Sequence, residues 1–488
     1  MLSLIAKIQI GAVSSSNRCN LQIFKSSNKQ LETARSAINL ETILMKRKLI
    51  SLSIVAAVLL GLGVLCVVRW NAWFGNRPEP AFVPCDSICR VQLTFGRAGV
   101  MSRAVSWQCG DSVEAANLLL ISENSVDTQR IVASSRLFET LGGRTVCYWA
   151  YTDSLAAGNY RYAAQVGQKI SSWNDFSVKK SSDHLKFVYI GDVQDTLHGT
   201  LREHFARINR TEKPDFWLFG GDLIERPHDQ YWNEYFTAVR DFCSTTPIVA
   251  IAGNHEYIKA LDRRLEERFL CVFPYFLKDD SADFAAWASF KWANASLFLL
   301  DSNNDVWTLP RQRAWLQQKI AENGSVWNIA SLHHPVYSLR GKLNNLLVRW
   351  AFASLLNHRA DLVLEGHEHA YARRSTDGTT PLYVVSQCSP KDYRISFDSG
   401  YERYGLGQRF YQVVSIAGDT LQLTTHTLDG AVYDEVSLVK SAAGVEVIDH
   451  CSDQPERLTL DPTRYRKSPE KQADYRSEME ERTKTVRN

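Results

Sequence analysis

The chain has 488 residues, of which 45% are hydrophobic and 22% are charged, and its formal net charge is +3. This length exceeds that of one ordinary domain, and the composition is typical of a folded globular protein rather than a disordered one. The small net charge excludes an electrostatic argument for nucleic-acid binding, so no nucleic-acid partner is indicated.

Residues 49–68 form an uncharged apolar stretch that directly follows three basic residues at 46–48. The stretch is long enough to cross a bilayer as a helix, and the basic flank predicts that the chain after Arg69 lies outside the cytoplasm. We therefore predict a signal anchor or transmembrane helix over 45–69, with the rest of the protein periplasmic or extracellular. Secretion after cleavage of a signal is the alternative.

Residues 1–44 are rich in Ser and basic residues, whereas Met45 is followed at once by the basic flank of the apolar stretch. Because Met45 is a natural start for a secretory signal, we expect 1–44 to be a poorly defined leader that arises from start-site assignment. An organelle leader is the rival interpretation.

Ten cysteines are spread along the chain without a CxxC pair, which argues against a metal site made of thiolates. In an oxidising compartment we expect disulfides between Cys109 and Cys147 and between Cys243 and Cys271. Free, buried cysteines are the alternative.

Between residues 82 and 180 the sequence consists of short runs that alternate apolar and polar residues, with turn residues between them. Six or seven such runs in this length predict a β-sandwich. No cluster of potential catalytic residues occurs there, so we expect a structural or substrate-shaping module.

Between residues 184 and 440 the apolar runs become continuous, and each ends at polar residues. Such runs predict buried strands of an α/β sheet, whose ligands gather beyond the carboxyl ends of the strands. The polar residues at these ends that matter most are Asp192, Asp222, Asn254, His255, His333, His334, His367 and His369.

Asp, Asn and His side chains are ligands for hard and borderline metal ions. A single Asp after a strand is usually a helix cap, and a single Asn-His pair is usually a turn. Five such windows, each at a strand end, instead predict one metal centre. Two cations about 3.5–4 Å apart can bind the oxygens of a phosphate ester and activate water, which links this residue set to phosphoester hydrolysis.

The five motifs are GDVQ (191–194), GD (221–222), GNHE (253–256), HHPVY (333–337) and GHEHAY (366–371). In this order they resemble the motifs of the calcineurin-like metallophosphoesterase superfamily, and within it the purple acid phosphatase branch. The resemblance implies an α/β protein: a β-sandwich catalytic domain flanked by helices, the four-layer metallophosphoesterase fold, over 184–440. It also implies a preceding fibronectin type III-like all-β domain over 82–180.

The resemblance further implies two divalent or trivalent metal ions, Fe, Zn or Mn. One ion would be bound by Asp192, Asp222 and His369, and the other by Asp222, Asn254, His333 and His367. Asp222 would bridge the ions, and a metal-activated hydroxide would attack phosphorus. His255 would contact the phosphate and protonate the leaving oxygen, with His334 as a second-shell neighbour or a packed residue.

Two positions depart from the family pattern. Most members have His where this chain has Gln194, and the purple branch has Tyr where this chain has Glu225. The first metal therefore lacks both usual fourth ligands, and an oxygen of Gln194, of Glu225 or of water would fill the position. We predict no tyrosinate-to-iron colour.

Aromatic and basic residues beside the motifs are weaker candidates for substrate contacts, with simple packing as the alternative. They are Tyr257, Tyr337, Tyr371 and Arg373; Arg340 is also plausible, whereas Asp301 is expected to cap or pack. Residues 441–488 are predicted to be a charged C-terminal tail.

These observations together predict acid phosphatase-like hydrolysis of a small phosphorylated substrate, a phosphomonoester, by a membrane-anchored protein. A phosphodiesterase or nucleotide hydrolase that uses the same site is the first alternative. The second is a non-catalytic surface module that retains the fold, which the substitutions at 194 and 225 motivate. The natural substrate and the oligomeric state stay open.

Overall fold

The structure, a computed structural model, describes residues 2–97, 99–180, 184–194, 200–260, 263–277, 286–292, 294–303, 305–341, 343–376, 379–459 and 468–484. Parts of the leader predicted over 1–44 and of the tail predicted over 441–488 lie outside the described residues. The chain divides into two units, residues 1–76 and residues 77–488.

The first unit is a single helix, α1 (Leu2–Phe74). Its portion Thr42–Phe74 is the one segment among the described residues that is long and apolar enough to cross a membrane. None of the most apolar window is buried within the protein, as expected of a segment whose partner is lipid. The segment 45–69, predicted as a signal anchor, lies within this helix, whose length and composition are compatible with a membrane anchor or a signal peptide.

The second unit begins with nine strands that form two sheets. The strands are β1 (Cys89–Gly96), β2 (Gly99–Gln108), β3 (Ala116–Ser122), β4 (Gln129–Val132), β5 (Ser134–Thr140), β6 (Gly143–Tyr151), β7 (Gly158–Val166), β8 (Lys169–Ile170) and β9 (Asn174–Val178). One sheet has the order β1-β2-β6-β5, and the other has the order β4-β3-β7-β8, with β9 also paired to β7. Alternating residues of both sheets, such as Trp107, Leu118 and Tyr162, share one buried core.

Seventeen further strands follow in the described residues. They are β10 (His184–Ile190), β11 (Phe216–Phe219), β12 (Ile248–Ala250), β13 (Tyr257–Ile258), β14 (Arg264–Leu265), β15 (Ala288–Trp292), β16 (Ala295–Leu299), β17 (Trp327–Leu332), β18 (Leu362–Glu365), β19 (Tyr371–Thr376), β20 (Thr379–Val385), β21 (Arg403–Leu406), β22 (Phe410–Ala417), β23 (Thr420–Thr427), β24 (Val432–Ser441), β25 (Gly444–Asp449) and β26 (Arg457–Leu458). The helices are α2 (Thr200–Glu212), α3 (Asp229–Val239), α4 (Glu267–Val272), α5 (Thr308–Asn323), α6 (Leu346–Arg359) and α7 (Pro469–Lys484).

Two large mixed sheets carry this part of the molecule. One has the order β12-β11-β10-β22-β23-β24-β25, and the other has the order β15-β16-β17-β18-β20-β19-β21-β26. Their inner faces share one core, to which Val188 and Val414 come from the first sheet and Ile329 and Leu364 from the second. The strands predicted from continuous apolar runs are therefore present, and they are buried because both faces are covered.

Helices cover the outer faces of both sheets. Phe205 of α2 contacts Trp217 of β11 with ring centroids 5.4 Å apart, so α2 lies on the first sheet. On the second sheet, Phe352 of α6 and Leu316 of α5 share a cluster with Val363 of β18. The result is a mixed α/β arrangement of helix, sheet, sheet and helix layers, consistent with the predicted fold class.

The N-terminal sandwich packs directly on this part of the molecule. Phe95 of β1 contacts Phe216 and Phe290 with ring centroids 5.3 Å away in each case. Arg90 forms an ion pair with Asp229 at 2.6 Å. These contacts explain why residues 77–488 form one compact unit.

The predicted disulfides are wrong, because Cys109, Cys147, Cys243 and Cys271 are all buried and free. Cys147 is paired in register with Gln108, so Cys109 points to the opposite face of the sheet. Cys243 donates to the carbonyl of Val91 at 3.4 Å, while the Cys271 thiol faces that of Cys147. A disulfide instead joins Cys85 and Cys89.

The segment predicted as a charged tail continues the fold. The predicted boundary at 440 falls within β24, and β25 extends the first sheet beyond it. Helix α7 buries Tyr475 and Met479 against Tyr404 and Leu406. These two residues supply an apolar contact that the surrounding charged residues of α7 conceal in the sequence.

Candidate metal centre

The metal-ligating residue types collect at the carboxyl ends of strands from both large sheets. Strands β10, β11 and β12 are parallel neighbours, and Asp192, Asp222 and Asn254 follow their ends. Strands β17 and β18 are parallel neighbours in the other sheet, and His333 and His367 follow their ends. Parallel strands bring their ends to the same edge, so side chains far apart in sequence meet there.

Strained backbone marks the same positions. Of the seven non-glycine residues with positive φ among those described, four are at the site: Asp192, Asp222, His367 and His369. This conformation is unfavourable for residues with a Cβ atom and persists where surrounding structure enforces it. Each of these turns aims a side chain back across the end of its strand.

Two motif glycines allow these turns to approach one another. A Cβ atom at Gly253 would lie 2.2 Å from the backbone nitrogen of Asp222, and one at Gly366 would lie 2.6 Å from Oδ2 of Asp192. Any larger residue would push the aspartates out of position. The glycines of the motifs are therefore explained by close backbone contact.

Two groups of side chains could each hold a metal ion. Asp192, Asp222 and His369 form one group, and Asp222, His333 and His367 form the other, with ligand atoms within 4.8 Å of one another in each. Asp222 belongs to both groups. Asn254 joins the second group, because its Oδ1 lies 3.3 Å from Nε2 of His333.

The electrostatics of this cluster fit bound cations. Asp192 is completely buried, its Oδ1 has no hydrogen-bond partner, and its pKa is raised well above the ordinary value by burial and by Asp222. Burial lowers the pKa of His369 to about 4, which keeps this imidazole in the neutral form that binds metal. A cation would supply the missing partner of Asp192 and relieve the repulsion between the two carboxylates.

His333 is held from both sides. Its Nδ1 lies 2.9 Å from the carbonyl oxygen of Gly220, and its Nε2 lies 3.3 Å from Oδ2 of Asp222. Burial alone lowers its pKa, but Asp222 and Asp192 outweigh burial and raise it to about 10. The bond to Gly220 fixes the ring so that Nε2 faces the aspartates.

Glu256 organises the site from beneath, a role that sequence reasoning missed. Its buried carboxylate accepts backbone N–H groups from Asp222 at 2.9 Å, Leu223 at 2.7 Å, Ile224 at 3.2 Å and Gly253 at 2.7 Å. It thereby ties the GD turn to the GNHE turn. The sequence signal for this role was the place of Glu256 in the GNHE motif, three residues after Gly253.

His255 lies at the mouth of the site, with a quarter of its side chain exposed. Its Nδ1 lies 2.5 Å from the carbonyl oxygen of Glu225, so Nδ1 carries the proton that is donated there. Its Nε2 faces Oδ2 of Asp222 at 3.8 Å. An imidazole held in this way can exchange a proton at Nε2 with a bound molecule.

The two departures from the family pattern occupy different places. Gln194 is buried, with Nε2 3.2 Å from Oδ2 of Asp222 and 3.2 Å from Nε2 of His369, and with an Oε1 that has no partner. Rotating this amide by half a turn exchanges its oxygen and nitrogen. Glu225 instead forms an ion pair with Lys391.

His334 packs beside the cluster. Its Nδ1 lies 2.9 Å from Oγ of Ser302, and its ring lies 4.2 Å from that of His367, centroid to centroid. Burial and the charge of His333 lower its pKa well below the ordinary value. His334 thus supports the neighbouring imidazoles.

The residues predicted as weaker substrate contacts are mostly engaged elsewhere. Tyr371 and Arg373 are buried and bond to Asp434 at 2.6 and 2.7 Å. Tyr257 is buried and donates to Asp301, which explains the strand-end position of that aspartate. Tyr337 accepts from Asn357 at 2.8 Å in the layer between α6 and the second sheet.

Side chains in loops form the rim in their place. Arg340 donates through Nε to Glu368 at 2.8 Å, and its Nη2 lies 2.9 Å from Nε2 of His367. The ring of Tyr393 lies 4.4 Å from that of His369 and 5.1 Å from the Arg340 guanidinium. Apart from the plausible Arg340, the rim residues had no strand-end or periodic signal in the sequence.

Comparison with known proteins identifies the part of the chain that carries this site. The family model for calcineurin-like phosphoesterases matches residues 185–371. These residues include every member of both ligand groups.

Curated relatives include two plant phosphatases. Over 230 residues the chain is 28% identical to purple acid phosphatase 22 of Arabidopsis thaliana, a match that covers 43% of this chain and 51% of that protein. Over 250 residues it is 26% identical to phosphoenolpyruvate phosphatase of Allium cepa, a match that covers 46% of this chain and 50% of that protein. The chain therefore spans about half the length of the curated relatives it matches.

A solved structure of PhoD shares the fold, with a TM-score of 0.52 and 13% sequence identity. The superposition covers 83% of this chain and 99% of that structure. At this level of identity the likeness establishes the architecture alone.

Proposed function

We propose that this chain, whose residues 185–371 match the calcineurin-like phosphoesterase family and which has purple acid phosphatases among its relatives, hydrolyses phosphomonoesters at a centre of two metal ions. One observation carries the proposal. Two largely buried ligand groups, each with atoms within 4.8 Å of one another, share Asp222. A shared carboxylate between two such groups is the arrangement that a dinuclear centre requires.

The proposed ligands follow from this geometry. The first ion would be held by Asp192, Asp222 and His369, and the second by Asp222, Asn254, His333 and His367. When bound, such a pair supplies positive charge to the phosphate oxygens and acidifies water. Oxygen and imidazole ligands without thiolates suit Fe, Zn or Mn.

Gln194 completes the first group in this proposal. Its buried, unpartnered Oε1 and its approach to Asp222 and His369 favour it over Glu225, whose carboxylate is paired with Lys391. A neutral amide oxygen in place of a tyrosinate also accounts for the expected lack of colour. The identity of the first metal then depends on the amide oxygen of Gln194, which is a weaker donor than the tyrosinate of the purple branch.

The protein groups at the mouth act on the substrate. His255 would act as the general acid: its Nδ1–H donates to the Glu225 carbonyl and fixes the ring, so that in the imidazolium form Nε2 would protonate the leaving oxygen. Arg340, fixed by Glu368, binds a phosphate oxygen through its guanidinium. These two residues orient the ester and neutralise the charge that develops on it.

The other parts of the chain support this activity. We propose that residues 82–180 are a fibronectin type III-like module that braces the catalytic domain over 184–440. The helix portion Thr42–Phe74 anchors the protein in a membrane, with the catalytic domain periplasmic or extracellular. The partner is a small phosphorylated molecule.

Turnover of p-nitrophenyl phosphate by the purified full chain, loaded with each candidate metal, tests the proposal. We expect turnover that His255→Ala lowers by about 10²–10⁴-fold, the contribution typical of a general acid. His358→Ala, at an exposed position on α6, is the matched control and keeps full activity.

Preference for the bis ester over the monoester would favour the phosphodiesterase alternative. A wild-type protein that binds metal but cleaves neither ester would support the non-catalytic alternative. Either result would overturn the phosphomonoesterase proposal.

A further inference from the structure

A cluster of large apolar side chains is exposed at the beginnings of α5 and α6. Trp307 immediately precedes α5 and is 80% exposed, Leu343 precedes α6 and is 83% exposed, and Trp350 within α6 is 64% exposed. We call this surface the apolar edge; it consists of Val306, Trp307, Leu343, Leu346, Leu347 and Trp350.

These residues form one continuous surface. Strands β16, β17 and β18 are parallel neighbours, and α5 and α6 connect them in turn, so both helices begin at the carboxyl edge of the sheet. Arg313, in the second turn of α5, donates to the carbonyl of Ala351 in the second turn of α6 at 2.6 Å and to Ser354 in the next turn at 3.2 Å. The helices therefore lie side by side in register, and their first turns adjoin.

The apolar edge is not part of the core. Helix α6 already buries Val348, Ala351, Phe352, Leu355 and Leu356 against the sheet. A helix with one buried stripe normally carries polar residues on its outer face, whereas α6 begins its outer face with two leucines and a tryptophan. Single exposed hydrophobic residues are ordinary, but a contiguous patch of this kind marks an interaction surface.

Two arginines and one aspartate border the patch. Arg311 of α5 and Arg349 of α6 are exposed within the same first turns. The nearby Asp305 uses its carboxylate locally, accepting the N–H groups of Trp307 at 3.0 Å and Thr308 at 2.8 Å. Tryptophan and leucine next to arginine is the combination that enters the headgroup layer of anionic membranes.

We propose that the apolar edge docks on the surface of a lipid bilayer that contains anionic headgroups. The chain itself carries a helix that is long and apolar enough to cross a membrane. A symmetric dimer through the same surface would instead bring the arginines of one copy towards those of the other. The inference does not depend on catalysis, although His333 and the apolar edge share the carboxyl edge of the second sheet.

The test measures how deeply the apolar edge enters lipid in the full chain. The parent protein is the full chain with Cys19 and Cys66 replaced by Ser. Each variant, Trp307→Cys or Leu347→Cys, carries a single spin label at the new cysteine. The labelled protein is reconstituted in nanodiscs of phosphatidylcholine and phosphatidylglycerol. Val126→Cys and Leu141→Cys on the N-terminal sandwich are the matched controls, since both are exposed hydrophobic residues outside the patch.

We expect the labels at 307 and 347 to collide several-fold less often with a water-soluble nickel chelate, and more often with oxygen, than the control labels. When the label at 307 or at 347 is combined with Arg311→Glu and Arg349→Glu, its collisions with the nickel chelate should rise to the frequency of the control labels. Equal nickel accessibility at all four positions would overturn the proposal. So would protection accompanied by dipolar coupling between labels on two chains, which would assign the surface to a second copy.

Discussion

A single buried carboxylate, Glu256, joins two loops of the site through four backbone N–H groups. Burial and Asp222 raise its pKa to about 7. Each of its oxygens accepts two N–H groups, so replacing either oxygen with a hydrogen-bond donor would break two hydrogen bonds. The residue positions Asp222 without belonging to either ligand group.

We expect Glu256→Gln to lower the free energy of unfolding by about 3 kcal/mol, because the amide NH₂ would face two buried N–H donors. Urea unfolding with a metal chelator present measures this change without any contribution from bound ions. Glu446→Gln, at an exposed position of β25, is the control and should change stability little. Equal stability of the two variants would contradict the role assigned to Glu256.

Gln194 carries the second prediction at this scale. If its amide oxygen completes the first group, Gln194→Leu should lower the metal content of the purified protein from two ions per chain towards one. Glu225→Gln should leave the content unchanged, because its carboxylate faces Lys391. Elemental analysis decides between them, and the opposite ranking of the two variants would assign the ligand to Glu225.

The proposed ligands were predictable from sequence because each lies at or a few residues after the end of a buried strand, and strand ends meet at one edge. The environment of the Gln194 side chain was not predictable, since a strand-end pattern contains no information on side-chain direction. Arg373 was misjudged for the same reason: it follows a motif, yet it points into a buried ion-pair cluster with Asp434. Tertiary contacts decide the direction in which such side chains point.

At the scale of elements, the last strands and α7 attach to the second sheet through specific contacts. Asp449 of β25 and Asp434 of β24 both bind Arg373 of β19, at 2.6 and 2.7 Å. Tyr475 of α7 packs on Phe397 with ring centroids 5.8 Å apart. Continuous apolar strands were predictable, but this region was not, because its few apolar residues lie among many charges.

The pH dependence of stability tests the ion pair that joins β25 to β19. Burial alone raises the pKa of Asp449, but Arg373 outweighs burial and the net shift is downward. A lowered folded-state pKa gives stability that is present above the unfolded-state pKa and is lost as the pH falls through the folded-state value. Asp449→Asn should therefore cost about 1–2 kcal/mol near neutral pH and progressively less in acid.

Chemical unfolding of wild type and Asp449→Asn at several pH values measures this difference. Asp419→Asn serves as the control for a charge change on the same sheet without an Arg373 contact. A stability difference that stays constant down to strongly acidic pH would contradict the assigned ion pair.

Truncating the apolar contact of α7 gives the other prediction at this scale. Tyr475 is buried, so Tyr475→Ala should lower the free energy of unfolding by about 3 kcal/mol through lost burial and a cavity. Glu470→Ala in the first turn of the same helix is the control. Calorimetry that shows equal transitions for both variants would mean that α7 does not contribute to the folded unit.

For the whole molecule, two sheets with helices outside them bring residues from 192 to 369 into one pocket. The site exists only when both sheets are assembled, because Asp192 and Asp222 come from one sheet, and His333 and His367 come from the other. Metal binding should thus stabilise the folded unit as a whole, since ions that bind only the native state shift its unfolding equilibrium.

Anomalous diffraction from crystals grown with the activating metal tests the central claim most directly. We expect two peaks. One lies among Asp192, Asp222 and His369, and the other lies among Asp222, Asn254, His333 and His367. A single peak outside these residues, or side chains left without metal at saturating concentrations, would contradict it.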